Sequence, residues 1–191
     1  MMAAHARPAG EPGAELDDLT VERARRGERA AQRALVERYQ RRVLALLHRL
    51  RGSAGGVEDL AQETFLRVFR DLPSFRPTGP ARLSTWILTI ATRLAIDARR
   101  RDAVRAARVP EPSPPVPSPE RALEARALSD AVQAAIEDLS DPFRAALVLR
   151  VYHDLGYAEI ADALGCDVGT AKSRVSRARE QLRAALEEVR R

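Results

Sequence analysis

The sequence predicts an all-α protein built as two small helical domains joined by a Pro-rich linker, the C-terminal one containing a helix-turn-helix. Apolar residues recur three or four positions apart through most of the chain, the spacing of one-sided helices. Aromatic residues make up only 4% of the sequence, and Val, Ile and Thr form no alternating runs of the strand kind. Between Val109 and Pro119, six of the eleven residues are proline, a composition that forbids helix and favours an extended spacer.

Residues 1–19 read as a disordered tail. Met1 to Ala14 contain Gly and Pro but no continuous apolar segment of the signal-peptide kind. The first domain, residues 20–108, opens with a short helix from about Val21 to Arg25. A second helix, Arg29 to Leu50, carries Leu35, Val36, Tyr39, Val43, Leu46, Leu47 and Leu50 on one side. A third, Val57 to Leu72, places Ala61, Phe65, Val68, Phe69 and Leu72 on a stripe. The fourth runs from Leu83 to about Ala107, burying Leu83, Ile87, Ile90 and Leu94 before becoming the basic run Arg99, Arg100, Arg101, Arg105 and Arg108. Four such helices can close a small core. The linker, residues 109–119, spans roughly 34 Å if extended, long enough for two modules to sit on separated patches of one partner.

In the second domain, residues 120–191, a helix beginning near Pro119 turns Leu128, Val132, Ala135, Ile136 and Leu139 inward. Ser140 or Asp141 followed by Pro142 starts another, Phe143 to Tyr152, by the N-cap and first-turn-proline rules. A short helix, Tyr157 to Leu164, then buries Tyr157, Ile160, Ala161 and Leu164. Gly165 supplies its stop and Asp167 an N-cap for the next helix. That last helix has an apolar stripe of Val168, Ala171, Val175, Ala178, Leu182 and Leu186, which turns Gly169, Ser173, Ser176, Arg177 and Glu180 outward.

Two short helices around a tight turn, the second with a polar and basic outer face, match a DNA-reading helix-turn-helix. In that geometry the second helix enters the major groove, where small hydroxyls and arginines reach base edges. Ser173, Ser176 and Arg177 are the base-edge candidates. Lys172, Arg174 and Arg179 are better placed for phosphates, which position a protein without reading sequence. Glu180 would repel phosphate and marks the limit of the surface. Taken alone, the segment also fits an ordinary helical hairpin with a solvated basic face.

Of the 32 basic residues all but Lys172 are arginine, and against 27 carboxylates they leave a net charge of +5, which suits a polyanionic partner. The glycine-rich stretch Gly52 to Gly56 has no following lysine and is not a phosphate loop. The single cysteine, Cys166, allows no internal disulfide, and His5, His48 and His153 stand without ligands at metal spacing. No cofactor and no metal are therefore expected. No nucleophile–base constellation marks an enzyme. No stretch of apolar residues is long enough to cross a membrane, and a reducing cytoplasm is the expected location.

Three stretches in order, Asp59-Leu-Ala-Gln-Glu-Thr-Phe65, Leu83-Ser-Thr-Trp-Ile-Leu-Thr-Ile-Ala91, and Tyr157-Ala-Glu-Ile-Ala161 with Gly169-Thr-Ala-Lys-Ser-Arg-Val-Ser-Arg-Ala-Arg-Glu180, resemble bacterial RNA polymerase sigma factors of the extracytoplasmic-function group. The order and spacing match along about 170 residues. The resemblance implies that the first domain is sigma region 2, which binds core polymerase and opens the promoter −10 element. The second would be region 4, which reads the −35 element. It implies polymerase contact by Asp59, Gln62, Glu63 and Phe65, and −10 contact by Phe75, Arg82, Thr85, Trp86, Arg93, Arg99, Arg100 and Arg101. Thr170 joins Lys172, Ser173, Arg174, Ser176, Arg177 and Arg179 at the −35 element. Strand opening needs a platform for an unstacked base and a basic track for a single strand, which these residue types can provide.

The implied partners are core RNA polymerase, promoter DNA and a cognate anti-sigma factor that masks the polymerase-binding faces, with no membrane insertion. Between Phe75 and Trp86 the chain departs from the family: Arg76-Pro-Thr-Gly-Pro-Ala-Arg82 is two residues longer than usual, and Leu83 stands where an aromatic is common. The loop normally captures a flipped base, so which base it takes is left open. A two-domain regulator that binds DNA without joining polymerase is the alternative reading.

Overall fold

The computed structural model describes residues 15–76, 82–106 and 123–189, so the linker and most of the long loop lie outside the described residues. Among the described residues the chain is helical: α1 (Asp18–Arg25), α2 (Arg29–Arg51), a 3-10 turn (Gly52–Ala54), α3 (Val57–Asp71), α4 (Leu83–Ala106), α5 (Leu123–Asp138), α6 (Asp141–Val151), α7 (Tyr157–Leu164) and α8 (Val168–Val189). Every helix read from the sequence is present, with ends shifted by a few residues.

The N-terminal half closes around α2, whose Leu35, Tyr39, Val43, Leu46, Leu47 and Leu50 are all buried against the stripes of α3 and α4. Ordered chain begins earlier than the expected disordered tail allows. Asp17 caps α1 by accepting from the Thr20 N–H at 2.9 Å. Glu15 accepts from the Tyr39 hydroxyl at 2.8 Å and the Ser84 hydroxyl at 2.5 Å, tying residue 15 to the start of α4. Residues 15–19 are therefore part of the folded body.

In the C-terminal half α6 is the central element. Arg144, Ala145, Ala146, Leu147, Val148 and Leu149 are consecutive and all buried, as expected only of a helix covered on every side. The helix-turn-helix covers part of it, and α2 of the other half covers the rest. This is why the two halves pack together here, where the sequence allowed separated modules: each buried Leu or Val on α6 gains about 1.5–3 kcal/mol from being covered. Arg144, 1% exposed, fixes the junction. Its guanidinium donates to the carbonyls of Ile136 (2.9 Å), Leu139 (2.8 Å) and Glu137 at the end of α5, and to Leu50 O (3.2 Å) at the end of α2. Those carbonyls lie at helix ends, where acceptors lack intrahelical partners. Gly52 ends α2 at φ +57°, the left-handed region that favours glycine.

Candidate nucleic-acid interface

The helix-turn-helix is set by local chemistry at each end of its helices. The Gly156 N–H donates to Glu159 Oε2 at 2.7 Å, capping α7, and Gly165 leaves it in the left-handed region at φ +60°. Asp167 starts α8 by accepting from the Thr170 N–H (2.7 Å) and hydroxyl (2.6 Å), bonds that hold its carboxyl below the usual carboxylate range. Ala171, Val175 and Ala178 then face inward, which leaves Lys172, Ser173, Ser176, Arg177 and Arg179 exposed and Arg174 half-buried. The Thr170 hydroxyl is occupied by the cap, so its side chain shapes the start of α8. Val168, read from the sequence as buried, is 50% exposed: as the first residue of α8 it precedes the turn that packs on α6. Glu180 accepts from the Ser176 hydroxyl at 3.3 Å, and this contact edges the polar face.

Across the loop between α3 and α4, the rings of Phe75 and Trp86 stack with centroids 4.6 Å apart and planes 28° from parallel, both half-buried against the core. Arg25 Nη2 donates to Phe75 O at 2.8 Å and anchors that end of the loop. Each ring thus uses one face on the other. Arg82, Arg100 and Arg101 are exposed. Thr85 is buried, Arg99 half-buried and Arg93 exposed, and each is engaged by the C-terminal half. The Thr85 hydroxyl donates to Glu159 Oε1 at 2.7 Å. Arg93 donates to Asp162 O (2.8 Å) and Ala163 O (3.3 Å), and Arg99 pairs with Asp141 at 2.5 Å.

On α3, Asp59 and Gln62 are exposed and Glu63 is half-buried, paired with Arg67 at 2.7 Å. Phe65 is a correction. At 8% exposure its ring belongs to the core, because it falls on the inward stripe with Ala61 and Val68 rather than on the outward face. The exposed apolar residue of this helix is Leu66, at 58%. Its position three or four residues after Gln62 and Glu63, and seven after Asp59, puts it on their face, a signal present in the sequence.

Arg51 was also missed. It is 6% exposed, pairs with Asp102 at 2.6 Å and donates to Gly55 O at 3.1 Å, fixing the basic end of α4 against the turn before α3. Beside that pair lies a cavity of about 380 Å³ lined by Asp59, Arg101 and Arg105 among others. Among the described residues no helix is long and apolar enough to cross a membrane.

Comparison with known proteins agrees with this geometry. Residues 35–105 match the family model for sigma-70 region 2, and residues 129–182 that for sigma-70 region 4. The chain is 38% identical over 185 residues to the ECF RNA polymerase sigma factor SigE of Mycolicibacterium smegmatis, covering 92% of this chain and 68% of that protein. It is 34% identical over 189 residues to the RNA polymerase sigma-H factor of Pseudomonas aeruginosa, covering 91% and 95%. Among solved structures, the sigma factor RpoE of Bartonella quintana, crystallised with the anti-sigma factor NepR, shares the fold at a TM-score of 0.65 and 24% identity, over 81% of this chain and 96% of that one. The chain belongs to the sigma-70 family, in its extracytoplasmic-function group, and directs transcription initiation by core RNA polymerase at promoters.

Proposed function

We propose that promoter reading is divided between α8 and α4, with α3 holding polymerase. The observation that carries this is the polar and basic outer face of α8, capped by Asp167 and backed by buried Ala171, Val175 and Ala178, which presents one helix to a groove. Ser173, Ser176 and Arg177 read base edges of the −35 element. Lys172, Arg174 and Arg179 take its phosphates, and Thr170 holds the start of the helix against the backbone.

On α4 and the loop before it, Phe75 and Trp86 form a stacked pair whose outer face receives an unpaired −10 base, while Arg82, Thr85, Arg93, Arg99, Arg100 and Arg101 track the opened strand. Asp59, Gln62 and Glu63 form the polymerase contact, with Leu66 in the place expected of Phe65. The first domain ends at residue 108 and the second begins at residue 120, with residues 109–119 as linker. The chain supplies specificity and leaves catalysis to polymerase, acting in the cytoplasm where polymerase and chromosome are. A cognate anti-sigma factor is a further expected partner, as NepR is for the Bartonella protein.

The test is transcription by core polymerase, alone and with this chain, from promoters randomised at both elements. New start sites sharing two motifs support the division. Arg177→Ala should then relax selection only upstream, and Trp86→Ala should slow opening while leaving upstream selection intact. Relaxation of both elements by either variant would refute it.

A further inference from the structure

The hydroxyls of α8, on Thr170, Ser173 and Ser176, all point their protons into the protein. Thr170 donates to Asp167 Oδ2 at 2.6 Å, Ser173 to the Thr170 carbonyl at 2.9 Å, and Ser176 to Glu180 Oε1 at 3.3 Å. A hydroxyl has one proton and two acceptor lone pairs, so each oxygen turns only acceptor capacity outward. The partners suit this. A backbone carbonyl inside a helix cannot move away from Ser173, and the Glu180 carboxylate, one turn beyond Ser176, accepts and cannot donate. Ser173 and Ser176 are exposed on the outer face of α8, beside the donor-only side chains Lys172, Arg177 and Arg179. The face therefore divides its chemistry, with hydroxyls that accept and cations that donate.

We propose that Ser173 and Ser176 read the −35 element as acceptors only, each requiring the exocyclic amino group of an adenine or a cytosine, with Glu180 as the positioning residue that commits the Ser176 proton. The proposal rests on the assignment of α8 to the −35 element. A serine can in general meet either kind of base edge. Here, turning its proton towards a base acceptor would break a bond already made within the protein, a loss of roughly fivefold in affinity. In the major groove each base pair shows one amino group, on adenine N6 or cytosine N4. An acceptor-only serine therefore tolerates exchange of adenine for cytosine on the strand it touches and rejects either pair when reversed. Arg177, a donor, is left to take the acceptor edge of a guanine.

The test measures binding of holoenzyme to promoter duplexes altered one base at a time in the −35 element, on either strand. Each adenine is replaced by purine, which lacks only the amino group, or by 7-deazaadenine, which lacks only the N7 acceptor. Each cytosine is replaced by 2-pyrimidinone, which lacks only the amino group. One amino deletion should weaken wild-type binding roughly fivefold and leave Ser173→Ala unchanged, and a second should do the same with Ser176→Ala. Deletion of N7 at these bases should have no effect. In Glu180→Gln the side-chain amide can donate to the Ser176 oxygen and free its proton, so the Ser176-dependent loss should shrink to less than about twofold while the Ser173-dependent loss persists. Ratios within each variant cancel the general gain from removing a negative charge near phosphates. All three substitutions are at exposed positions, and the altered bases leave the protein untouched.

Coupling of either serine to an N7 deletion, or amino deletions that weaken the wild type and both alanine variants equally, would overturn the acceptor reading while leaving α8 on the −35 element. A Ser176-dependent loss that Glu180→Gln leaves at full size would overturn the role of Glu180. If Ser173→Ala, Ser176→Ala and Arg177→Ala all leave −35 selection unchanged, the assignment of α8 itself fails, and the proposal fails with it.

Discussion

Thr85 on α4 and Glu159 on α7, 74 residues apart, are joined by a hydroxyl-to-carboxylate hydrogen bond of 2.7 Å. The second carboxylate oxygen accepts from the Gly156 N–H, so a single side chain both caps the first helix of the helix-turn-helix and fastens it to α4. Capping and docking are thereby coupled, and any rearrangement that frees α4 leaves Glu159 as a local cap alone.

Arg144 is the residue whose loss should cost most. Its guanidinium serves four carbonyls from two helix ends, and desolvation, the main influence on it, pulls its pKa below the ordinary arginine value. Arg144→Ala should destabilise the chain by about 3 kcal/mol, since it leaves a cavity and orphaned acceptors. Arg144→Lys should recover only part of this, because an ammonium cannot reproduce the planar fork. Urea unfolding followed by circular dichroism measures both.

His153 gives the fold an acid sensitivity above the carboxylate range. Burial, reinforced by Arg42 and Arg49, lowers its pKa from 6.5 to about 3, and its Nε2 is buried without a partner. Between these values the unfolded chain binds a proton that the folded chain refuses. The stabilisation is therefore complete above about pH 6.5 and is lost as pH falls towards 3, with a limiting slope of about 1.4 kcal/mol per pH unit. Unfolding free energies from pH 7 to pH 4.5 should show this slope in the wild type and lose it in His153→Leu.

The α3 face predicts a separation of binding from folding. Asp59→Lys and Leu66→Ala should each weaken association with core polymerase roughly fivefold to tenfold, by charge mismatch and by lost apolar contact respectively. Both residues are exposed, so the unfolding free energy should move by less than about 0.5 kcal/mol. Phe65→Ala should behave in the opposite way, costing about 3 kcal/mol of stability because its ring is in the core.

Residues on α8 should divide by their salt dependence. In holoenzyme, Arg179→Ala should weaken binding evenly across −35 sequences and reduce the slope of log affinity against log salt by about 1. Arg177→Ala should instead cost about 1–3 kcal/mol at one base pair and relax selection there. Filter binding over a salt series with matched and mismatched −35 duplexes distinguishes the two.

Helix positions and the helix-turn-helix were legible in the sequence because they depend on local signals: apolar spacing, Gly165 as a stop, Asp167 as a cap and Pro142 in a first turn. The packing of one half on the other was not. It depends on α6 being apolar all round, and a run such as Ala145 to Leu149 does not reveal which neighbour covers its far side. The roles of Arg51 and Arg144 were hidden for a related reason, since a buried arginine reads as one more surface charge until its carbonyl acceptors are placed in space. Phe65 and Val168 were misjudged in opposite directions. Phe65 sat in a family motif that drew it to the surface although its spacing pointed inward. Val168 matched an inward stripe but lies too near the helix start to be covered.

The division of promoter reading can be tested with the chain's own Cys166, which lies in the turn between α7 and α8, is half-exposed and is the only cysteine in the sequence. A DNA-cleaving iron chelate attached to that thiol reports where the helix-turn-helix sits once holoenzyme is bound to promoter DNA. Cleavage centred on the −35 element, with none at −10, is the expected result. Cleavage centred on the −10 element, or none in a holoenzyme that still initiates transcription, would contradict the assignment of α8 to the −35 element.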